Sequence, residues 1–212
     1  MHITILYDNE SLIDGLRSDW GFACLVTHNN VNLLFDTGGN GALLLDNMRA
    51  LGIDPASIHE VFISHSHFDH SGGLSTFLNE NSDVQVYAPA ALRGIRSARE
   101  AVYVEEPMDL GDGFYTTGML GGIEQSLAVR TVKGIAVVVG CSHPGAEAIL
   151  TAAQAFGTPY ALVGGLHGFD AFDVLQPLEL ICPTHCTQHI AEIKSRYPDK
   201  YIQGGAGASY EL

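Results

Sequence analysis

His65-Ser66-His67-Phe68-Asp69-His70 places four side chains that can bind a metal within six residues. The hexapeptide follows a predicted strand over 59–63 and precedes a predicted helix over 72–79. Residues i and i+2 of an extended segment share a side, so His65, His67 and Asp69 are predicted to point one way, and a turn at Asp69 brings His70 round. Zinc takes about four ligands per ion, so this density indicates a pair of metal ions. A solvated, His-rich loop is the alternative, which the core-like residues on both sides disfavour.

Three further histidines follow predicted strands. His143 comes after the strand over 135–139, His167 after the one over 160–163, and His185 after the one over 178–181. Strand ends at one edge of a sheet converge, so His143 and His185 are predicted to lie beside the metal-binding residues of the hexapeptide. For His167 a structural role stays open as the alternative.

These motifs resemble those of a known family. His65-x-His67-x-Asp69-His70 with Gly72-Gly73 resembles the signature of the metallo-β-lactamase superfamily, and Asp36-Thr37-Gly38 and Pro183-Thr184-His185 match further landmarks of it. The segments 140–143, 164–167 and 183–187 are similar to a branch of metal-dependent hydrolases, some of them named dihydropterin-methyl ribofuranosylaminobenzene phosphate synthases. The resemblance spans nearly the whole chain. It implies an α/β (α+β) fold, a four-layer αββα sandwich with a two-metal site along one edge.

The remaining segments fit a single domain over 1–212. Two successive runs of predicted strands are each followed by alternating helices and strands, and no low-complexity linker separates them. The stretch 89–122 is irregular and is predicted to be a long functional loop. Strands are predicted over 2–7, 22–27, 31–35, 59–63, 84–88, 126–132, 135–139, 160–163, 178–181 and near 201, and helices over 41–51, 72–79, 145–155, 170–176 and 187–196.

The resemblance also implies which residues hold the ions. It places His65, His67 and a third histidine on a first ion, and we expect the third to be His143. It places Asp69, His70 and His185 on a second ion. The cofactors implied are two divalent metal ions, zinc first, with manganese or iron as alternatives. Asp69 is the predicted catalytic residue, which orients a metal-activated water and accepts its proton.

Three more residues are candidates for the same site. Cys141 stands where most members of the superfamily carry an acidic bridging ligand, so either its thiolate bridges the ions or a hydroxide alone does. Asp36 is predicted to hold a ligand histidine, with a turn-forming role as the alternative. His167 completes the set because of its place at a strand end.

The absence of that acid predicts a positive site in an acidic protein. The chain carries 10 basic and 24 acidic residues, a net charge of −14, which disfavours nucleic acid and anionic membranes as partners. Two divalent ions with Asp69 and a hydroxide would leave a local charge of about +2, or about +1 if Cys141 is a thiolate. We therefore expect a small substrate that is anionic or strongly polarised.

Several other polar residues are expected to have structural roles. Asn9 and Glu10 follow the first predicted strand and are expected in a plain loop. The arginines of 93–99 are expected on a solvated helix face rather than on a substrate anion. Cys182 and Cys186 lack the second cysteine pair that a zinc knuckle needs, so we expect them to be structural.

The sequence therefore predicts a metal-dependent hydrolase of a small molecule. A transferase of the pterin-condensing, methanopterin type and a metal-binding sensor without turnover are the alternatives. The four cysteines form no CxxC pair, a predicted strand starts at residue 2, and the longest aliphatic run has five residues. We therefore expect a reducing cytoplasm, no targeting peptide and no membrane partner, while the sequence indicates no oligomeric state.

Overall fold

A computed structural model describes all 212 residues of the chain. Its strands, numbered in chain order, are β1 (His2–Tyr7), β2 (Ala23–His28), β3 (Val31–Phe35), β4 (Glu60–Phe62), β5 (Gln85–Pro89), β6 (Glu100–Val104), β7 (Met108–Gly111), β8 (Phe114–Thr116), β9 (Leu127–Thr131), β10 (Gly134–Val139), β11 (Pro159–Gly165), β12 (Leu180–Thr184) and β13 (Ser209–Glu211). Its α-helices are α1 (Gly41–Ala50), α2 (Phe68–Ser71), α3 (Leu74–Glu80), α4 (Ala146–Ala153) and α5 (Ile190–Arg196), and 3-10 turns cover Pro55–Ser57, Gln154–Phe156 and Phe172–Leu175. None of the helices combines the length and the apolar composition that crossing a lipid bilayer requires.

The strands form two mixed sheets. The first has the order β13-β1-β2-β3-β4-β5-β6 and the second the order β12-β11-β10-β9-β8-β7. Apart from β13, which returns antiparallel to β1, antiparallel strands come first along the chain in each sheet and parallel strands follow, β3 to β6 in the first and β10 to β12 in the second. The carboxyl ends of the parallel strands therefore lie together at one edge of each sheet.

The sheets stack face to face, and helices cover their outer faces. Side chains between the sheets form a buried core that includes Phe35, Phe62 and Phe114. A second core lies between the first sheet and the helices α1 and α3, and a third lies between the second sheet and the helices α4 and α5. Successive side chains of a strand point to opposite faces, so each buried strand supplies two of these cores. The predicted four-layer αββα sandwich is confirmed.

Two predictions about strands were wrong. The stretch 89–122 is not one long loop, because it contains β6, β7 and β8, which extend the edges of both sheets. The side chains of β6 and β7 are mostly exposed or only part-buried, so these edge strands lack the apolar pattern that predicts a strand. The last strand is β13, which pairs with β1, whereas Tyr201 forms only an isolated bridge with Ile181.

Glu60 on β4 carries a part-buried carboxylate whose Oε2 has no hydrogen-bond partner. Burial, and to a lesser degree the carboxylate of Asp112, raises the pKa of Glu60 from 4.5 to about 7. The unfolded chain ionises Glu60 at the lower value, so the folded state loses stability as the pH rises between these two values. Glu60→Gln stays neutral, and we expect it to raise the free energy of unfolding by about 1 kcal/mol at pH 8, after allowance for solvent screening.

Denaturant unfolding of both proteins between about pH 5.5 and pH 8 measures this difference. The gain from Glu60→Gln should shrink steadily towards the acidic end. A gain that is the same at every pH would show that the carboxylate charge is not its cause.

Candidate metal centre

Side chains that can bind a metal gather at the edge of the sandwich where the parallel strands end. The loops after β4, β10, β11 and β12 bring them together from both sheets. Five groups of three residues have donor atoms within 4.8 Å of one another, and they contain all six predicted ligands: His65, His70 and Cys141; His65, His67 and His143; Cys141, His185 and Cys186; Cys141, His143 and His167; Asp69, His70 and His185.

The first cluster consists of His65, His67 and His143. Nε2 of His65 lies 3.1 Å from Nδ1 of His67, and Nε2 of His143 lies 3.2 Å from the same atom. Burial and then the charge of neighbouring histidines lower the pKa of His65, and they lower that of His143 to about 4. The imidazoles of His65 and His143 are therefore neutral at pH 7, which is the form of histidine that binds a metal.

The second cluster consists of Asp69, His70 and His185. Oδ2 of Asp69 lies 3.3 Å from Nε2 of His185 and 3.9 Å from Nε2 of His70. Burial opposes the ionisation of Asp69, yet the two histidines and further hydrogen bonds hold its pKa below the usual range. Burial, followed by the charge of His70, lowers the pKa of His185 to about 3. The cluster thus offers one carboxylate beside two imidazole nitrogens.

The short helix α2 determines that His67 and Asp69 belong to different clusters. It begins at Phe68, directly after His67, so Asp69 lies on a helical turn rather than in an extended segment. The expectation that His65, His67 and Asp69 point one way is therefore wrong. The helical turn carries Asp69 and His70 towards His185, while His65 and His67 remain beside the end of β10.

Cys141 lies between the two clusters. Its Sγ is 3.1 Å from Nε2 of His70. Cys141 also belongs to three of the five groups given above, and these groups include residues of both clusters. Its thiol also contacts that of Cys186 at 3.4 Å, and this hydrogen bond, together with burial, raises the pKa of Cys141. Cys186 therefore lies in the site, although the sequence predicts only a structural role for it. Cys182 is buried in the core between the sheets.

Asp36 orients two of the histidines. Nδ1 of His70 donates to its Oδ2 at 2.7 Å, and the hydroxyl of Ser64 donates to the same oxygen at 2.7 Å. Nδ1 of His65 in turn contacts the oxygen of Ser64 at 2.9 Å. In the neutral rings these bonds assign the proton to Nδ1, so Nε2 of both histidines presents its lone pair to the site. Burial opposes a charged His70, yet the Asp36 carboxylate raises the pKa of His70, so an ion bound at its Nε2 would replace a proton there.

Asn9 has the same role for His185. Nδ1 of His185 donates to Oδ1 of Asn9 at 3.0 Å, and the side-chain amide of Asn9 donates back to the carbonyl of His185 at 2.8 Å. Asn9 is thus not part of a plain loop, because it fixes both the ring and the backbone of a predicted ligand. The arginines of 93–99 lie on an irregular segment rather than on a helix, and Arg99 pairs with Asp83.

The backbone turns sharply at the strand ends that carry the site. Asp36, Ser142, His167 and His185 have φ between +46° and +60°, a left-handed conformation that non-glycine residues seldom adopt. Such conformations persist where the surrounding structure holds them, and they cluster at functional sites. At His167 the turn brings the ring to a centroid distance of 4.6 Å from that of His143.

Glu124 is a site residue that the sequence did not reveal. Its side chain is fully buried, and Oε1 accepts the backbone N–H groups of Gly140, Cys141 and Ser142 at 3.0–3.1 Å. Oε2 accepts the N–H of His143 at 2.9 Å. One carboxylate therefore holds the whole loop that presents Cys141 and His143. No local pattern around Glu124 signals this, because the contact exists only once β9 pairs with β10.

Trp20 is the second residue that the sequence did not reveal. Its Nε1–H donates to Oδ2 of Asp69 at 2.8 Å, and its ring lies 4.9 Å from that of His185. It belongs to the irregular segment between β1 and β2, where no strand or helix pattern predicts its direction. Trp20 therefore borders the second cluster and fixes the carboxylate of Asp69.

The sequence profile of the metallo-beta-lactamase superfamily matches residues 21–190. The chain belongs to this superfamily. It is 27% identical to the 7,8-dihydropterin-6-methyl-4-(beta-D-ribofuranosyl)-aminobenzene-5'-phosphate synthase of Methanocaldococcus jannaschii, with 76% of each chain covered. It is 28% identical to a solved metal-dependent hydrolase of the beta-lactamase superfamily, with a TM-score of 0.81 over 100% of this chain and 99% of the other. The metallo-beta-lactamase fold protein YhfI of Bacillus subtilis, 12% identical, shares the fold with a TM-score of 0.73 over 100% of this chain and 99% of its own.

Members of the metallo-beta-lactamase superfamily typically bind divalent metals, and the residues of this chain fit such ions. A tetrahedral zinc ion keeps its nitrogen ligands about 3.3 Å apart, close to the spacing of the nitrogens in the first cluster. Nε2 of His167 and Nε2 of His185 are buried without a hydrogen-bond partner. A buried polar atom without a partner costs free energy, and a bound cation would remove that cost. The first cluster therefore has the spacing of a metal centre, and free lone pairs lie beside it at His167 and within the second cluster at His185.

Proposed function

We propose that this protein is a metal-dependent hydrolase that holds two divalent ions, zinc foremost, and cleaves a small substrate with an anionic group. The observation that carries this proposal is the position of the first and second clusters side by side at one sheet edge, with Cys141 between them. When bound, divalent ions supply a water acidified to a pKa of about 7 and a Lewis acid for a substrate oxygen.

Asp69 is the acid that can act on the substrate. Its side chain is 22% exposed, whereas those of Asp36 and Glu124 are fully buried. The hydrogen bond from Trp20 holds the Asp69 carboxylate in one orientation. We infer that Asp69 orients the attacking water and accepts its proton at the carboxylate, while the two buried acids only position other groups.

The buried acids also change the charge expected at the site. The sequence predicts about +2, and the carboxylates of Asp36 and Glu124 lower the total to near zero when both are ionised. Burial raises the pKa of both groups, so this is the lower limit of the site charge. Both carboxylates lie behind the donor groups and accept hydrogen bonds from them or from their backbone. A substrate would therefore meet the ions before the carboxylates, so a preference for anions remains but is weaker than the sequence predicts.

A transferase is the second candidate. The similarity to the synthase of Methanocaldococcus jannaschii, over 76% of the chain, favours it. The same donor clusters would serve a condensation as well as a hydrolysis, since both reactions need an activated nucleophile and a stabilised oxyanion. The difference is that a transferase turns over only when an organic acceptor is present.

Metal analysis of the purified protein, coupled to a turnover screen, tests the proposal. The screen uses phosphoesters, lactones, thioesters and amides, each in matched anionic and neutral forms. We expect two ions per chain and metal-dependent turnover that is faster for the anionic members. Turnover that appears only with an added amine or aryl acceptor would favour the transferase. A single weakly held ion without turnover would contradict both and favour a sensor.

A further inference from the structure

Two large aromatic side chains beside the second cluster are open to solvent. Phe68 is 73% exposed and Trp20 is 59% exposed, although burying such rings strongly favours folding. Both line one groove of about 650 Å³, and Asp69 belongs to the wall of the same groove. Two exposed aromatic rings that line one groove beside a candidate metal centre are a candidate binding surface.

The two rings differ in how firmly the protein holds them. Trp20 is fixed by its hydrogen bond to Asp69 and by contact with the ring of His185. One edge of the Phe68 ring lies over glycine backbone, because a Cβ at Gly39 would stand 3.5 Å and one at Gly72 2.9 Å from it. The rest of the Phe68 side chain stays open to the groove.

We propose that Trp20 and Phe68 form a subsite for a planar aromatic ring of the substrate. This rests on the proposed function, because the ring would be attached to the anionic group that the metal centre receives. Phe68 and Trp20 line the same groove as Asp69, and Trp20 donates directly to the carboxylate of Asp69. A ring bound in this groove therefore lies beside the carboxylate of the second cluster. Aromatic faces favour a flat ring over an aliphatic one of equal size.

A pair of phosphonates of matched size tests the subsite. Phenylphosphonate and cyclohexylphosphonate carry the same phosphonate group and a six-membered ring, and their carbon–phosphorus bond resists hydrolysis. They are compared at an alkaline pH at which both are dianions, because the aryl group makes the second ionisation more acidic. Binding to the metal-loaded protein is measured by calorimetry and by the fluorescence of Trp20, the single tryptophan of the chain. We expect phenylphosphonate to bind about tenfold more tightly than cyclohexylphosphonate and to change the fluorescence.

Variants at Phe68 link the preference to the groove. Phe68→Ala should reduce the ratio of the two dissociation constants to below about twofold, while Phe68→Tyr should keep it. Val132→Ala, at an exposed apolar residue of a distant turn, serves as the control and should leave the ratio unchanged. Metal content and circular dichroism confirm that each variant is folded and loaded.

The outcomes separate this proposal from the proposed function. Equal affinity for the two phosphonates, binding of neither, or a ratio that survives Phe68→Ala overturns the aromatic subsite even if the protein hydrolyses other compounds. A clear aromatic preference in a protein that shows no turnover supports the subsite and counts against the hydrolase. The binding measurement needs no catalysis, so failure of one does not imply failure of the other.

Discussion

Replacing His67 with alanine is expected to abolish turnover and to remove the ion of the first cluster in the same step. Nδ1 of His67 is the atom that both other members approach, at 3.1 Å and 3.2 Å, so its loss leaves the cluster with two separated nitrogens. Removing groups that merely orient ligands costs about 10–100-fold in metal affinity or activity, and loss of a ligand should exceed that range. His67 is exposed, so the fold should survive the change.

Metal analysis and kcat/KM on the same preparation measure this prediction. His2→Ala is the matched control, because His2 starts β1 and lies at the end of that strand opposite to the site. We expect the control to keep its metal and its turnover. If His67→Ala retained more than about a tenth of either, the assignment of His67 as a ligand would be wrong.

Glu124→Gln is expected to have the next largest effect, although Glu124 contacts no substrate. Its carboxylate accepts four backbone N–H groups, three on Oε1 and one on Oε2. A glutamine has one acceptor oxygen, and its amide N–H₂ would face at least one of these N–H groups. Each buried N–H left without a partner costs about 1–3 kcal/mol, and the lost orientation should lower kcat/KM about 10–100-fold.

The expected loss is specific to the loop that Glu124 holds. His143 of the first cluster lies on that loop, whereas the loop reaches the second cluster only through Cys141, so the first cluster should lose its ion more readily than the second. A metal titration that distinguishes one weakened ion from two tests this point. Glu147→Gln makes the same chemical change on the exposed face of α4 and should behave as wild type. Unchanged affinity for both ions in Glu124→Gln would contradict the positioning role.

The sequence was sufficient to predict those residues of the metal centre that are close together in the chain or that directly follow a buried strand. His65 and His67 flank one residue, and His143 and His185 each follow a buried strand, so the convergence of strand ends is enough to bring them together. Asn9, Trp20 and Glu124 could not be found in this way. Their contacts depend on the direction of irregular segments or on the register between strands, and neither is written in a local pattern.

The secondary structure likewise contains elements that a local sequence pattern predicts and elements that it does not. The strands β10 and β11 are buried on both faces, and their near-continuous apolar runs predict them. The strands β6 and β7 lie at sheet edges, where exposed side chains and an interrupting glycine at 111 remove that signal. Helix α2 has only four residues, too few to show a helical period, and so the direction of Asp69 was predicted wrongly.

The division of donors between the two sheets gives the ions a mechanical role. In the first cluster His67 and His143 are 76 residues apart, and the second cluster likewise joins α2 to the loop after β12. The four cysteines are free, so no disulfide fastens one half of the sandwich to the other. An ion in either cluster would cross-link the two sheets. Because the ion binds the folded chain, it would stabilise the whole sandwich. The concentration of available metal would then determine the stability of the folded protein as well as its activity.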